Sequence, residues 1–298
     1  MFRKPVMIER SEIDKSLDRG TYTFVAVIPC DFQKDLQYGK NPEIQLNVDA
    51  TRMSQAFNGS SYIQQIVAKE INAYFHGGKS ATLAQAVVRN RFNPNLTRPW
   101  FGGVVQLIND ITMLAIILTG AALIRERENG TLEHLLVMPV TGFEIMCAKI
   151  WSMALVVLFA STVSLFAVIQ GFLHMPIEGS APLFFFGVAI HLFAVTSLGI
   201  FLACFAKNMP QLGMMIILFL IPMLVLSGGF TPKESMPETL QLVMQAAPTT
   251  QMVEISQAIL YRGAGISVVW YPMLKLFIIG AALFTVSLTR FRKTMVQS

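Results

Sequence analysis

With 298 residues, 53% of them hydrophobic and only 14% charged, and a mean hydropathy of +0.54, the chain has too much apolar side chain and too little charge for a soluble domain, and fits an integral membrane protein. The formal net charge of +5 reads as Lys and Arg held on one side of a bilayer rather than as a nucleic-acid footprint. Cys30, Cys147 and Cys204 are too scattered for a disulfide framework or a metal cluster and read as free thiols.

Residues 1–100 hold 13 of the 23 Lys and Arg and no apolar run long enough to cross a bilayer. They predict a small water-soluble α/β domain. Ser11-Glu12-Ile13-Asp14 has the spacing of a capping box, with Gly20 as the stop of that helix. TYTFVAVI and EIQLNVDA suit strands, Phe32 to Tyr38 a short helix closed by Gly39, and Ser60 to Phe75 an amphipathic helix with Ile63, Ile66, Val67, Ile71 and Tyr74 on one face. AYFHGGKS, Ala73 to Ser80, fits a loose phosphate-loop pattern. That chemistry needs the loop to leave a strand and enter a helix, so that amide hydrogens face the phosphates. Here a helix precedes it, and the segment reads as a Gly-rich turn.

From Phe101 onward five apolar spans follow, roughly 101–124, 145–172, 183–206, 212–229 and 267–289, each near the about 20 residues that a crossing helix needs. Arg125, Arg127 and Lys149 flank the first connection, Lys207 the third, and Arg290, Arg292 and Lys293 the tail. The positive-inside rule makes these connections and the C-terminus cytoplasmic, and the N-terminal domain external. An exported domain needs a signal or a preceding span, and MFRKPVMIER has no apolar core. The expectation is a sixth span upstream, missing through truncation or a late start.

Polar residues within the spans are few. Asn109 and Asp110 are neighbours in the first span and point different ways around it, and His191 lies in the third. A structural hydrogen bond between helices is the simpler reading; a proton relay through Asp110 and His191 is the alternative. Lys275, after Trp270, Tyr271 and Pro272, is expected to snorkel.

The segment Arg125 to Pro139, RERENGTLEHLLVMP, is a charged island between two spans. Asn129-Gly130 breaks the first helix, Thr131 can cap a short second one presenting Leu132, Leu135 and Leu136, and Pro139 ends it. Such a helix suits either the headgroup layer or a groove on a partner.

RERENGTLEHLLVMPVTGFEIMCAKI resembles the signature of ABC-2-type transporter permeases, with its Arg-Glu pair, Gly-Thr-x-Glu step and Pro before the next span. RFNPNLTRPWFGG upstream, and LSGGFTPKESMP with AAPTTQMVEISQAILYRG downstream, are similar to segments of the same family in the same order, and bacterial inner-membrane drug-efflux exporters look like the nearest kin.

The resemblance implies a polytopic α-helical membrane protein: an extracytoplasmic α/β domain at 1–100 and a permease domain at 101–298, with a cytoplasmic coupling loop at 125–143 and an outer re-entrant helical hairpin at 230–265. Arg125, Glu126, Glu128, Gly130, Thr131, Glu133, Leu136 and Pro139 would belong to the coupling segment that docks on a separate ATPase subunit. Gly229, Pro232, Pro237, Pro248 and Glu254 would belong to the outer hairpin, where Glu254 either shapes an exit route or is a solvated or capped carboxylate. ATP and Mg would be bound by the ATPase partner, with no cofactor in this chain. The permease would work as a homodimer or a heterodimer with a second permease, in contact with membrane lipid and no nucleic acid; whether a periplasmic adaptor joins is open. The implied function is export of a small, amphipathic or drug-like substrate across the bacterial inner membrane, without covalent chemistry. A proton-coupled secondary transporter is the alternative. No nucleophile motif, HExxH or paired catalytic carboxylates support a membrane hydrolase.

Overall fold

The computed structural model describes residues 4–38, 40, 42–49, 53–74, 85–91, 98–130, 140–229 and 236–297, and divides into two compact units, Met1–Phe101 and Gly102–Ser298.

The first unit is a three-stranded sheet with helices. A short 3-10 turn, Arg10–Glu12, leads into α1 (Ile13–Asp18). The Ser11 capping box does not form: Glu12 is the N-cap without a side-chain bond, and the Ser11 hydroxyl donates to Glu9 at 3.4 Å. The stop is as the sequence indicates, because Gly20 has φ +66° and the Thr21 N–H donates back to the Ser16 carbonyl at 2.9 Å. β1 (Phe24–Val27) runs antiparallel to β2 (Glu43–Asp49), with Phe24 opposite Val48; α2 (Phe32–Gln37) lies between them in sequence. After α3 (Met53–Tyr74), β3 (Gln85–Arg91) pairs parallel with β2, Glu43 opposite Gln85. The central strand β2 buries Ile44, Leu46 and Val48, and Phe24 and Ile63 pack on this core. A side chain at Gly59 of α3 would collide with the Phe24 ring. The face that α3 turns inward therefore runs through Gly59, Ser60, Ile63 and Val67, while Ile66, expected on it, is 43% exposed. Ile71 and Tyr74 are helical in backbone, with side chains outside the described set, and the AYFHGGKS turn falls outside the described residues after Tyr74.

The second unit is helical. Among the described residues, α4 (Arg98–Glu128), α5 (Gly142–Val163, continuing as a wider π-helix through Ser164–Phe172), α6 (Ala181–Phe205) and α10 (Ile266–Gln297) contain the four segments long and apolar enough to cross a membrane. The fourth apolar run, expected at 212–229, starts and ends a few residues earlier than expected. It folds as α7 (Met209–Val225), 17 residues, or about 25 Å at 1.5 Å per residue, slightly under a hydrocarbon core of about 30 Å. The Asn208 side chain caps its start by accepting from Gln211 N at 3.0 Å, and Leu226 and Gly228, at φ +91°, turn the chain away. Two short helices follow, α8 (Glu238–Gln245) and α9 (Pro248–Leu260).

α6 is the hub. Its Gly199 meets α4 so closely that an added Cβ would stand 2.8 Å from the Ile116 carbonyl oxygen, and Gly120 of α4 faces the Gly199 carbonyl in return. On α10, Gly280 faces Phe193 and Ala194 of α6, and the Ser287 hydroxyl donates to the Ser197 carbonyl at 2.9 Å. Small residues at crossings are how helices approach where lipid supplies little hydrophobic drive between them.

Candidate functional site: the charged end of the bundle

The last turns of α4 are tied to three other helices by three consecutive residues. Glu126 pairs with Lys149 of α5, whose side chain is only 12% exposed. The Arg127 guanidinium donates to the Ala206 carbonyl at 2.8 Å, capping the C-terminal end of α6, where a cation complements the negative end of the helix dipole. Glu128 accepts the Met209 N–H at 3.1 Å, at the N-terminal end of α7, where a carboxylate complements the dipole. Arg290 of α10 lies over the Phe205 ring at 5.0 Å, next to the Arg127 contact. The ends of α4, α6 and α10 and the starts of α5 and α7 are thus gathered into one charged collar.

Arg125 is exposed at this collar, and Gly130, at φ +70°, ends the helix at Asn129-Gly130 as the sequence indicates. Thr131, Glu133, Leu136 and Pro139 lie outside the described residues. α5 opens on a capping box: the Thr141 N–H donates to Glu144 at 2.7 Å, and Glu144 N to the Thr141 hydroxyl at 3.3 Å. The sequence carries that signal, Thr-Gly-Phe-Glu before an apolar run, but the reading missed it. The partners of Glu126 and Glu128 were not foreseeable, since Lys149 and the Met209 amide come from distant segments.

Within the spans, Asn109 and Asp110 do diverge. Asn109 is buried in the bundle, its side-chain oxygen without a partner among the described residues, whereas Asp110 is half-buried on the open face of α4 and accepts from Gln106 at 2.8 Å. His191 is wholly buried and bonds to Thr112 at 2.8 Å. Because the Thr112 hydroxyl donates its hydrogen to the Ile108 carbonyl, it accepts from His191, which places the imidazole proton on Nε2. Asp110 and His191 therefore have different partners. Lys275 folds back over the Tyr271 ring at 4.5 Å.

At the opposite end of the bundle, Pro237 precedes α8 and Pro248 opens α9, with Ala246 and Ala247 between the two helices. α9 is buried along its length except at Glu254, which is half-buried and partnered. Its Met252 and Ile255 pack at Gly187, six residues or about 9 Å inside the start of α6. The Thr249 hydroxyl donates to the Met223 carbonyl at 3.3 Å, and the Leu260 carbonyl accepts from Glu178 N at 3.2 Å. A Cβ at Gly179 would strike the Ile259 carbonyl, and one at Gly229 the Val105 side chain, so both glycines are required by close approach. Pro232 lies outside the described residues. Burial at the end of α9 pushes the Tyr261 phenol up and keeps it protonated.

Among the described residues, four apolar helices of crossing length, three of them packed with α6 as their hub, define a polytopic helical membrane protein. The chain belongs to the ABC-2 family of transporter proteins, which it matches over residues 7–289. It is 57% identical over 296 residues to the inner membrane transport permease YhhJ of Escherichia coli K12, covering 99% of this chain and 79% of that protein. It is 29% identical over 286 residues to the probable multidrug ABC transporter permease YbhR of the same organism, covering 96% and 77%, and 26% identical over 290 residues to the probable multidrug permease YbhS, covering 94% and 74%. No solved structure matches it.

Proposed function

We propose that the chain is the membrane subunit of an ATP-binding-cassette exporter, and that segment 125–143 receives force from a separate ATPase chain. Membership of the ABC-2 family supports an ATPase partner, and the names of the relatives support an inner-membrane permease and a small drug-like substrate. The observation that carries the mechanical part is the collar: Glu126, Arg127 and Glu128 fasten the end of α4 to α5, α6 and α7. A push delivered between α4 and α5 is then borne by the bundle rather than by one loop. In this reading the collar faces the cytoplasm, where Arg125, Arg127, Lys149, Lys207, Arg290 and Arg292 satisfy the positive-inside rule. The unit Met1–Phe101 is then extracytoplasmic, five apolar helices cross, and α8–α9 is a re-entrant hairpin in the outer leaflet. Two permease copies, or this chain with a second permease, would flank the route, driven by two ATPase chains that bind ATP and Mg.

The test is reconstitution with the ATPase subunit that co-purifies with the chain. ATP-dependent movement of a drug-like compound into everted vesicles is expected, and is absent without nucleotide. Movement by the permease alone would overturn the reading.

A further inference from the structure

α4 presents one stripe away from the bundle: Gln106, Asp110, Met113 and Ile117 at helical spacing, with Leu114 beside it. Met113, Leu114 and Ile117 are between 36% and 39% exposed. Among the described residues of the apolar helices, Asp110 is the one carboxylate more than a turn from a helix end. No cation lies on it among the described residues; its bond is to the neutral amide of Gln106, four residues earlier on the same face. A carboxylate and an amide aligned this way are a poor surface for lipid, because hydrocarbon offers neither a cation nor a hydrogen bond. The apolar residues one to two turns further on are an equally poor surface for water. The whole stripe suits an occupant that joins a positive charge to an apolar body.

Resting on the export reading above, we propose that this stripe recognises lipophilic organic cations, with Asp110 selecting the charge, Gln106 holding the carboxylate in place, and Met113, Leu114 and Ile117 contacting the apolar body. Methionine suits that last role because its unbranched, polarizable side chain adapts to varied shapes. Asp110 is thereby a specificity-determining residue of the permease, and selection is for charge and amphipathicity rather than for one molecular outline.

The probe is tetraphenylphosphonium, compared with tetraphenylborate, which has nearly the same shape and the opposite charge. Equilibrium binding is measured to the full chain in nanodiscs of neutral lipid. The unsubstituted protein is expected to bind the cation and not the anion. Asp110→Asn should weaken cation binding at least tenfold, Asp110→Glu should hold it within about threefold, and Gln106→Leu, which removes the donor that holds the carboxylate, should weaken it by a smaller factor than Asp110→Asn. Equal binding of both ions, or unchanged cation binding by Asp110→Asn, would overturn the proposal. So would an Asp110→Asn variant whose only defect is dissociation of a permease dimer, which would make the stripe a seam between copies. Failure of ATP-dependent transport alone would count against the export reading and leave the binding result standing.

Discussion

His191 has no exposed surface, and its bond to Thr112 decides what it can do. A ring that donates through Nε2 to a hydroxyl already spent on a backbone carbonyl ties α6 to α4 and has no carboxylate beside it in this contact. Thr112→Val should therefore strand a buried N–H and lower stability by about 1–3 kcal/mol, read as a lower unfolding midpoint in detergent, while Thr112→Ser recovers most of it. If Thr112→Val instead left stability unchanged and abolished transport coupled to a pH gradient, the proton relay would displace the structural role. The Glu126–Lys149 pair is of another kind, since one side chain is 12% exposed and the other 32%. Lys149→Met should cost about 1 kcal/mol, and Glu126→Gln should cost less in the Lys149→Met background than alone, because the pair's contribution is already lost. Thermal unfolding of the single and double variants measures the coupling.

Helices and strands differ in how plainly they were written in the chain. The long apolar helices were legible because membrane-length hydrophobicity is a strong local signal, and their observed ends depart from it by a few residues at their starts and by the charged turns at Arg125–Glu128 and Arg290–Gln297. β3 was missed. QAVVRNR offers three apolar residues in seven, and its place in the sheet comes from parallel pairing with the buried strand β2, a tertiary cause with no local mark. Pro237 and Pro248 marked the starts of α8 and α9, but nothing local showed that α9 would be buried on every side except at Glu254. The collar was legible as charge and illegible as pairing, because Arg127 and Ala206 are 79 residues apart. Gly199 gave no hint of its role either, since the backbone it must admit belongs to another helix. Gly199→Val would drive a branched side chain into the Ile116 carbonyl and push α4 off α6, at a cost of about 1–3 kcal/mol or more. The expected result is a lower yield of monodisperse protein and a lower unfolding midpoint. Gly213→Val, at a helical glycine with open space around it, should change neither.

For the whole molecule, a transporter needs motion at one end to alter access at the other, and the described bundle has parts suited to that. α6 carries close contacts with α4 through Gly199, with α10 through Phe193 and Ser197, and with α9 through Gly187. The Gly187 contact lies near the start of α6, and the Arg127 cap lies at its end. Tilting α4 through its last turns therefore moves a helix that touches the buried hairpin α9 at its far end. Packed interfaces of this density shift between discrete arrangements rather than deforming continuously. Two substitutions separate receipt of force from its transmission. Glu133→Lys, in the segment between α4 and α5, should break the match to the ATPase partner, so that the partner's hydrolysis no longer responds to substrate and export falls at least tenfold. Arg127→Gln leaves residues 129–141, between the two helices, unchanged and loosens the cap on α6, so the ATPase should still co-purify and hydrolyse ATP while export falls. Co-purification, substrate-stimulated ATP turnover and vesicle uptake, measured together on both variants, test the assignment. Normal coupling in Glu133→Lys would remove segment 125–143 from the force path, and full export by Arg127→Gln would show that the collar only stabilises the fold.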